Sequence, residues 1–349
     1  QDSSQLSLKV QYDESEKGLP GAIMLYNVHS KQRMWNKDLL TNIRYENHKS
    51  NRINYLFNTK YARSFLNYKD PNYLNNHGGI NNQYIQEEYY LSCASLAKIT
   101  DKLNLSLAND ASMQSLWASN INEYPNPQRF TSLHVFALNY IYKKTELNAH
   151  LLGVFMNEKT DKINWSYNKF IVDYSVSGTY KIANSPFLRL RVLYAKNFRA
   201  PTFQELYYNL FGNNNLLPED AKQFNVGLIG QQYALGFIDY MSFKIDFFHN
   251  KVDNKIVAIP TKNLFVWSVR NIAKAHINGI ELQMSANTKE YSNFILSTNL
   301  NYTYQNARDM TQVGSPTYKH QIPYIPFESI SSMSAVSYKK VVLAHTFVF

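Results

Sequence analysis

Cysteine is almost absent from this chain of 349 residues: Cys93 stands alone, which excludes an intramolecular disulfide and any zinc site built on cysteine. Also missing is any run of about 18 apolar residues, so no helix of this sequence is suited to cross a bilayer. The sequence has no GxSxG elbow, no HExxH, no P-loop and no calcium-loop pattern. Its nine His residues are dispersed, with no HxH or HxxxH pair, so no metal site is expected. The adjacent acids Glu87-Glu88 and Glu219-Asp220 would point to opposite faces of a strand, which suits solvated charges better than acid–base catalysis. No enzyme and no cofactor is therefore expected. The formal net charge is +10, yet Lys and Arg are scattered and no reader motif is present, which argues against nucleic acid. Nor does the chain open with a Met, a basic segment or an apolar signal segment, as expected of a processed chain or a fragment.

What the chain does have is aromatic residues, 27 Tyr and 20 Phe, although apolar types make up only 44% and mean hydropathy is negative. A membrane β-barrel reconciles these facts. Its strands alternate lipid-facing with lumen-facing residues, which keeps the average polar, and its aromatics form girdles at both interfaces. The dyad pattern is cleanest where Phe294, Leu296, Leu300, Tyr302 and Tyr304 oppose Asn293, Ser297, Asn299, Asn301 and Thr303. It recurs with Phe170, Val172, Tyr174 and Val176 against Asp173, Ser175 and Ser177, and with Ile53, Tyr55, Phe57 and Tyr61 against Asn54, Asn58 and Lys60. Cys93 sits in such a segment, where a small buried or lipid-facing residue is expected rather than a reactive thiol.

Strand patterns can be placed at about fifteen positions, and the connections alternate in length. Short links fall at 49–52, 100–102, 143–146, 182–186, 234–237, 288–291 and 338–340; long ones at 13–36, 65–84, 115–129, 157–167, 199–220, 256–275 and 307–328. Short turns on one side and long loops on the other mark an outer-membrane barrel. The expected fold is thus all-β, an antiparallel transmembrane barrel.

The segment 196–224, KNFRAPTFQELYYNLFGNNNLLPEDAKQF, hangs a polar loop between two alternating strands. Phe198, Arg199, Ala200 and Pro201, then Glu205, then Asn213, Asn215, Leu216, Pro218 and Glu219 resemble the FRAP and NPNL boxes of TonB-dependent outer-membrane receptors. Weaker echoes are Glu16-Lys17-Gly18-Leu19-Pro20-Gly21, and Asn271-Ile272-Ala273-Lys274-Ala275 running into Asn278-Gly279-Ile280-Glu281-Leu282. The wording around FRAPTFQELYY and the GLPG segment resembles most the vitamin B12 (cobalamin) receptors of Bacteroidetes-type bacteria.

The resemblance implies a location in the outer membrane of a Gram-negative bacterium, as a multi-pass protein in contact with its lipids. It implies energised import through a TonB-type energy-transducing partner that pulls on a plug, with a corrinoid as leading cargo and an iron–siderophore complex next. A surface lipoprotein cap is a further expected partner. If the complete barrel has about 22 strands, residues 1–349 are a partial barrel. The expectation is then an even number of strands before Gln1 and an odd number after Phe349, four and three being preferred, with the plug outside the chain. Haem receptors of this family place a ligand His between the two boxes, and none occurs from Asn197 to Pro218, which moves the cargo away from haem.

For the boxes themselves the expected role is structural: Pro201 and Pro218 stiffen the strand ends while Arg199 and Glu219 tie the loop down. Cargo contacts are expected instead from loop aromatics, Tyr73, Trp117, Tyr124, Tyr207, Tyr208, Phe211, Phe265 and Trp267, whose faces suit a bulky ligand. For Trp267 the outer aromatic girdle is an equal alternative. A passive porin or adhesin would instead require a charged constriction loop, and no long loop has that charge density.

Overall fold

A computed structural model describes residues 4–20, 30–48, 50, 52–72, 78–120, 126–161, 166–184, 187–207, 212–260 and 267–349. Its strands are β1 (Ser4–Gly18), β2 (Arg33–Asn47), β3 (Ile53–Asp70), β4 (Ile80–Lys98), β5 (Leu103–Ala118), β6 (Gln128–Tyr142), β7 (Thr145–Lys159) and β8 (Ser166–Asn184). They continue as β9 (Phe187–Arg199), β10 (Glu219–Leu235), β11 (Ile238–Pro260), β12 (Trp267–Thr288), β13 (Phe294–Asp309), β14 (Glu328–Tyr338) and β15 (Val341–Val348), with one short helix, α1 (Phe203–Tyr207). All fifteen strands join one sheet in chain order, each hydrogen-bonded to the next. Meander order is what tight turns between sequential antiparallel strands produce. Gly236, at φ +58°, takes the left-handed position in the two-residue turn between β10 and β11.

The chain divides into two compact units. The first comprises Gln1–Ala137, Leu151–Val172 and Thr202–Asn214; the second comprises Leu138–His150, Asp173–Pro201 and Asn215–Phe349.

In the first unit Ile53, Tyr55 and Phe57 are exposed on one face, and Tyr61 and Tyr89 meet across the β3–β4 ladder with ring centroids 4.9 Å apart. The opposite face is wired by polar side chains: Asn42 donates to Asn58 at 2.7 Å and Lys60 pairs with Glu88 at 2.8 Å. Cys93 faces Phe57 across the ladder, half-buried on the apolar side.

The second unit repeats the division. Tyr194 opposes Phe224 and Val192 opposes Val226, both pairs on the aliphatic face, and Phe294 stacks on Tyr338 at 4.5 Å. On the polar face Arg191 donates to Asp246 at 2.5 Å, Ser285 donates to Asn299 at 2.7 Å, and Asn301 donates to Ser331 at 3.3 Å. A contiguous exposed aliphatic and aromatic face would be a liability in water; against hydrocarbon it is the solvated surface.

Strands run further than their apolar pattern. The link expected at 256–275 is mostly ladder, with pairing sustained from Lys255↔Ile272 to Pro260↔Trp267. Beyond the hydrocarbon the outward face need not be apolar, so the alternation that marks a strand fades before the hydrogen bonding does. Ile256 and Val269, both buried, hold this extension together. The residues 310–327 between β13 and β14 fold back onto the polar face of the second unit, where Ile322 is buried with Val252, Ala275 and Ala307. Its amide donates to the Ala307 carbonyl at 2.8 Å. This loop carries a single formal charge, Lys319.

Candidate functional site

The loop between β9 and β10 begins and ends in polar clasps. Where β9 runs out, Asp173 accepts the Phe198 amide at 2.8 Å and the Lys196 ammonium at 3.4 Å, and Lys196 also reaches Asp220 at 2.9 Å. Arg199 and Glu219 face each other in the ladder, and the guanidinium donates to Glu219 Oε1 at 2.9 Å. The same oxygen accepts the Ile256 amide at 2.8 Å and the Lys255 ammonium at 3.3 Å. One buried carboxylate thus joins β9, β10 and β11.

Glu219 lies sixteen residues from Leu235 at the tight-turn end of β10, beyond the roughly 9–11 residues that a tilted strand needs to cross. Burial by itself would raise its carboxyl pKa, but the Arg199 hydrogen bond, the Ile256 amide and the Lys255 charge outweigh it and hold the group below the usual carboxylate range.

Asn271 of β12 completes this clasp. Its side chain accepts the Leu217 amide at 2.8 Å and donates to the Leu217 carbonyl at 2.9 Å and the Asn254 carbonyl at 2.7 Å. An amide side chain is suited to this task because it offers donor and acceptor in one plane, as a strand neighbour would. Asn254 itself sits at φ +55°, a conformation that Asn tolerates better than most residues.

The middle of the loop is held differently, within the first unit. Thr202 and Glu205 form a reciprocal cap, the Glu205 carboxylate accepting the Thr202 amide at 2.8 Å and the Thr202 hydroxyl accepting the Glu205 amide at 3.2 Å. That starts α1, whose Phe203, Leu206 and Tyr207 are all buried. Beneath it Arg129 of β6 donates to Glu158 of β7 at 2.6 Å, and the Tyr207 hydroxyl donates to the other Glu158 oxygen. The Arg129 guanidinium also lies over the Phe203 ring, 4.9 Å from its centroid. Both ions are almost dry, with side chains 9% and 2% exposed, so they depend on each other and on Tyr207.

Of the residues expected in the boxes, Arg199 and Glu219 are brought together, Pro201 and Leu216 are buried, and Phe198, Ala200, Glu205, Asn213 and Pro218 are partly buried, while Asn215 is exposed. The Asn213 amide donates to the Glu205 carbonyl at 2.7 Å. Of the aromatic contact candidates, Tyr207 is buried against Glu158. Trp117 is exposed at the far end of β5, opposite Ile85 and on the face that carries Leu107 and Met113. Tyr73, Tyr124, Tyr208, Phe211 and Phe265 lie outside the described residues, and Trp267 opens β12 with its side chain outside them. Sequence reasoning missed Asp173 and Glu158, 25 and 49 residues from the loop groups they hold, and Arg129, 29 residues from Glu158. It registered Asn271 only as part of an echo of the family.

The polar face of the second unit also carries a concavity of about 670 Å³ lined by Arg191, Asn225, Lys244, Asp246, Asn250 and Glu281 among others. Gly227 lines it because any side chain there would meet the Asp246 carboxylate. Among the described residues the buried side-chain oxygens of Asn225 and Asn250, beneath this surface, have no partner.

Residues 23–344 match the family described as TonB dependent receptor-like, beta-barrel. The chain is 31% identical over 102 residues to the vitamin B12 transporter BtuB of Vibrio vulnificus (strain YJ016), covering 29% of this chain and 16% of that protein. It is 28% identical over 156 residues to the probable hemoglobin and hemoglobin-haptoglobin-binding protein 4 of Haemophilus influenzae, covering 39% and 15%. In structure it resembles the copper transporter OprC, with a TM-score of 0.78 at 13% identity over 100% of this chain and 58% of that one. The chain therefore matches about a sixth of each of these two sequence relatives and spans rather more than half of the structural one. With a fifteen-strand meander and a family match over nearly its whole length, the chain belongs to the TonB-dependent receptor-like β-barrel family of the Gram-negative outer membrane.

Proposed function

We propose that the protein is the barrel portion of a receptor for energised import of a corrinoid. The observation that carries this is the 31% identity to a vitamin B12 transporter, joined by 27% identity over 143 residues to a second, from Photobacterium profundum. The absence of His between the two boxes agrees with it. In this reading the Glu219 and Glu158 clasps hold the loop base rigid, aromatics of the outer loops receive the cargo, and the hydrogen-bonding concavity faces the transport path. A plug and a coupling segment in the full reading frame would connect the barrel to a TonB-type energy-transducing protein. A lipoprotein cap would close over the loops.

An iron complex is the second reading, favoured by the hemoglobin-binding relative and by the structural likeness to the siderophore receptor PiuA from Acinetobacter baumannii, TM-score 0.69. Equilibrium binding to the purified full-length receptor separates the two. Saturable binding of cyanocobalamin with none of a ferric siderophore or haemin is expected; binding of either iron complex without cobalamin would overturn the corrinoid assignment.

A further inference from the structure

Four of five neighbouring strands of the second unit change from apolar to cationic at one level of the sheet, and the fifth presents a histidine there. On β9 the outward residues Leu190, Val192 and Tyr194 give way to Lys196; on β10 Leu228, Val226 and Phe224 give way to Lys222. On β11 the aliphatic face runs from Met241 through Phe247 and reaches Lys251 after His249, ten residues along, about the length of a membrane-crossing strand. β12 and β13 do the same at His276 and Arg308. The register aligns the five: Lys196↔Lys222, Lys222↔Lys251, Lys251↔His276 and His276↔Arg308.

Like charges placed directly opposite each other destabilise a sheet. Counter-charge from the chain is scarce here. Asp220 and Asp253 stand one step further out, and Asp220 is taken by Lys196 at 2.9 Å. Among the described residues no ion pair reaches Lys222, Lys251 or Arg308, all exposed, nor the exposed Lys274 opposite Asp253; Arg308 donates only to the Asn306 side chain at 3.0 Å. At the corresponding level of the first unit two cations are paired within the chain: Lys37 with Glu14 at 2.8 Å, and Arg63 3.7 Å from Glu87. Since this level is the long-loop end of the strands, the cations stand where hydrocarbon meets the head groups of the outer leaflet.

We infer that Lys222, Lys251 and Arg308, flanked by Lys196 and His276, form a docking row for the phosphates of a membrane lipid head group, whose acyl chains lie along Phe224, Phe247 and Tyr304 below. The row spans four strand intervals, about 19 Å in the hydrogen-bonding direction, wide enough to bind more than one phosphate. Each cation near an anionic lipid surface contributes enough that losing three lowers affinity on the order of a hundredfold. Nothing in this assignment depends on which cargo is imported.

The test uses the full-length receptor in detergent, titrated with bisphosphorylated lipid A and followed by native mass spectrometry. Wild type and a control in which Lys143, Lys144 and Lys339 at the tight-turn end are changed to Gln should retain the lipid equally. The variant K222Q/K251Q/R308Q should lose it by about a hundredfold. A K222R/K251R variant should keep it, which guards against a folding defect in the triple change. Equal retention by wild type and the triple Gln variant would overturn the inference. So would undiminished binding of dephosphorylated lipid A, or full competition by an equal concentration of inorganic phosphate, which would make the row a site for a free anion.

Discussion

One loop, between β9 and β10, is held at two places by opposite means. α1 is fixed in the first unit by a nearly dry ion pair, Arg129 with Glu158, under two aromatic rings. Glu219 is fixed in the second unit by an exchange of polar contacts in which Arg199 keeps 41% of its side chain in water. The dry clasp should therefore be brittle, because removing one ion strands the other without solvent. The wet clasp should be graded, because water can replace lost partners one at a time.

The sharpest test of that contrast is Glu158→Ala, which leaves the buried Arg129 charge without its carboxylate and takes the Glu158 oxygen from the Tyr207 hydroxyl. A loss of about 3–5 kcal/mol is expected. It should appear as a lower urea midpoint of the full receptor together with lost hydrogen-exchange protection across α1. A loss below about 1 kcal/mol, the size of an exposed pair, would remove the distinction between the clasps.

Glu219→Ala should cost less, about 2–3 kcal/mol, seen as faster exchange at the Ile256 amide. Here pH offers a second handle. The folded carboxyl is held below its ordinary range, so its stabilisation is complete above the unfolded carboxylate pKa of about 4.3 and is lost as pH falls through the lower folded value. Protection at Ile256 should decline over that acidic window in the wild type, while Glu219→Ala should show no such decline. The smallest effect belongs to Asn271→Ala, about 1–2 kcal/mol, because the Leu217 residue it holds is itself exposed and water can take over both of its backbone groups. Exchange at the Leu217 amide should increase while Ile256 stays protected.

These differences follow what could be read along the chain. Period-two patterns such as Phe294 to Tyr304 exposed the strands, since residues facing hydrocarbon have no choice but to be apolar. Arg199 with Glu219 was legible because opposite charges stand at the two ends of one loop, where the strands make them ladder partners. The extension of β11 to Pro260 was not, because a paired strand beyond the membrane carries no outward apolar signal. α1 had a local signature, the Thr202-to-Glu205 capping box, which the strand reading passed over. Its buried supports, Arg129 and Glu158, left none, since contacts across 49 residues write no pattern in the sequence. Trp117 shows the same limit from the other side: exposed among loop-like residues, it lies on the apolar face with Met113 and Leu107.

Rigid loop anchorage matters only if the receptor does transport work, and uptake decides that most directly. Cells carrying the full-length receptor should accumulate labelled cobalamin saturably, and accumulation should stop when the inner-membrane energy-transducing partner is deleted while surface binding persists. Accumulation that continues without that partner, or none at all in its presence, would contradict the account.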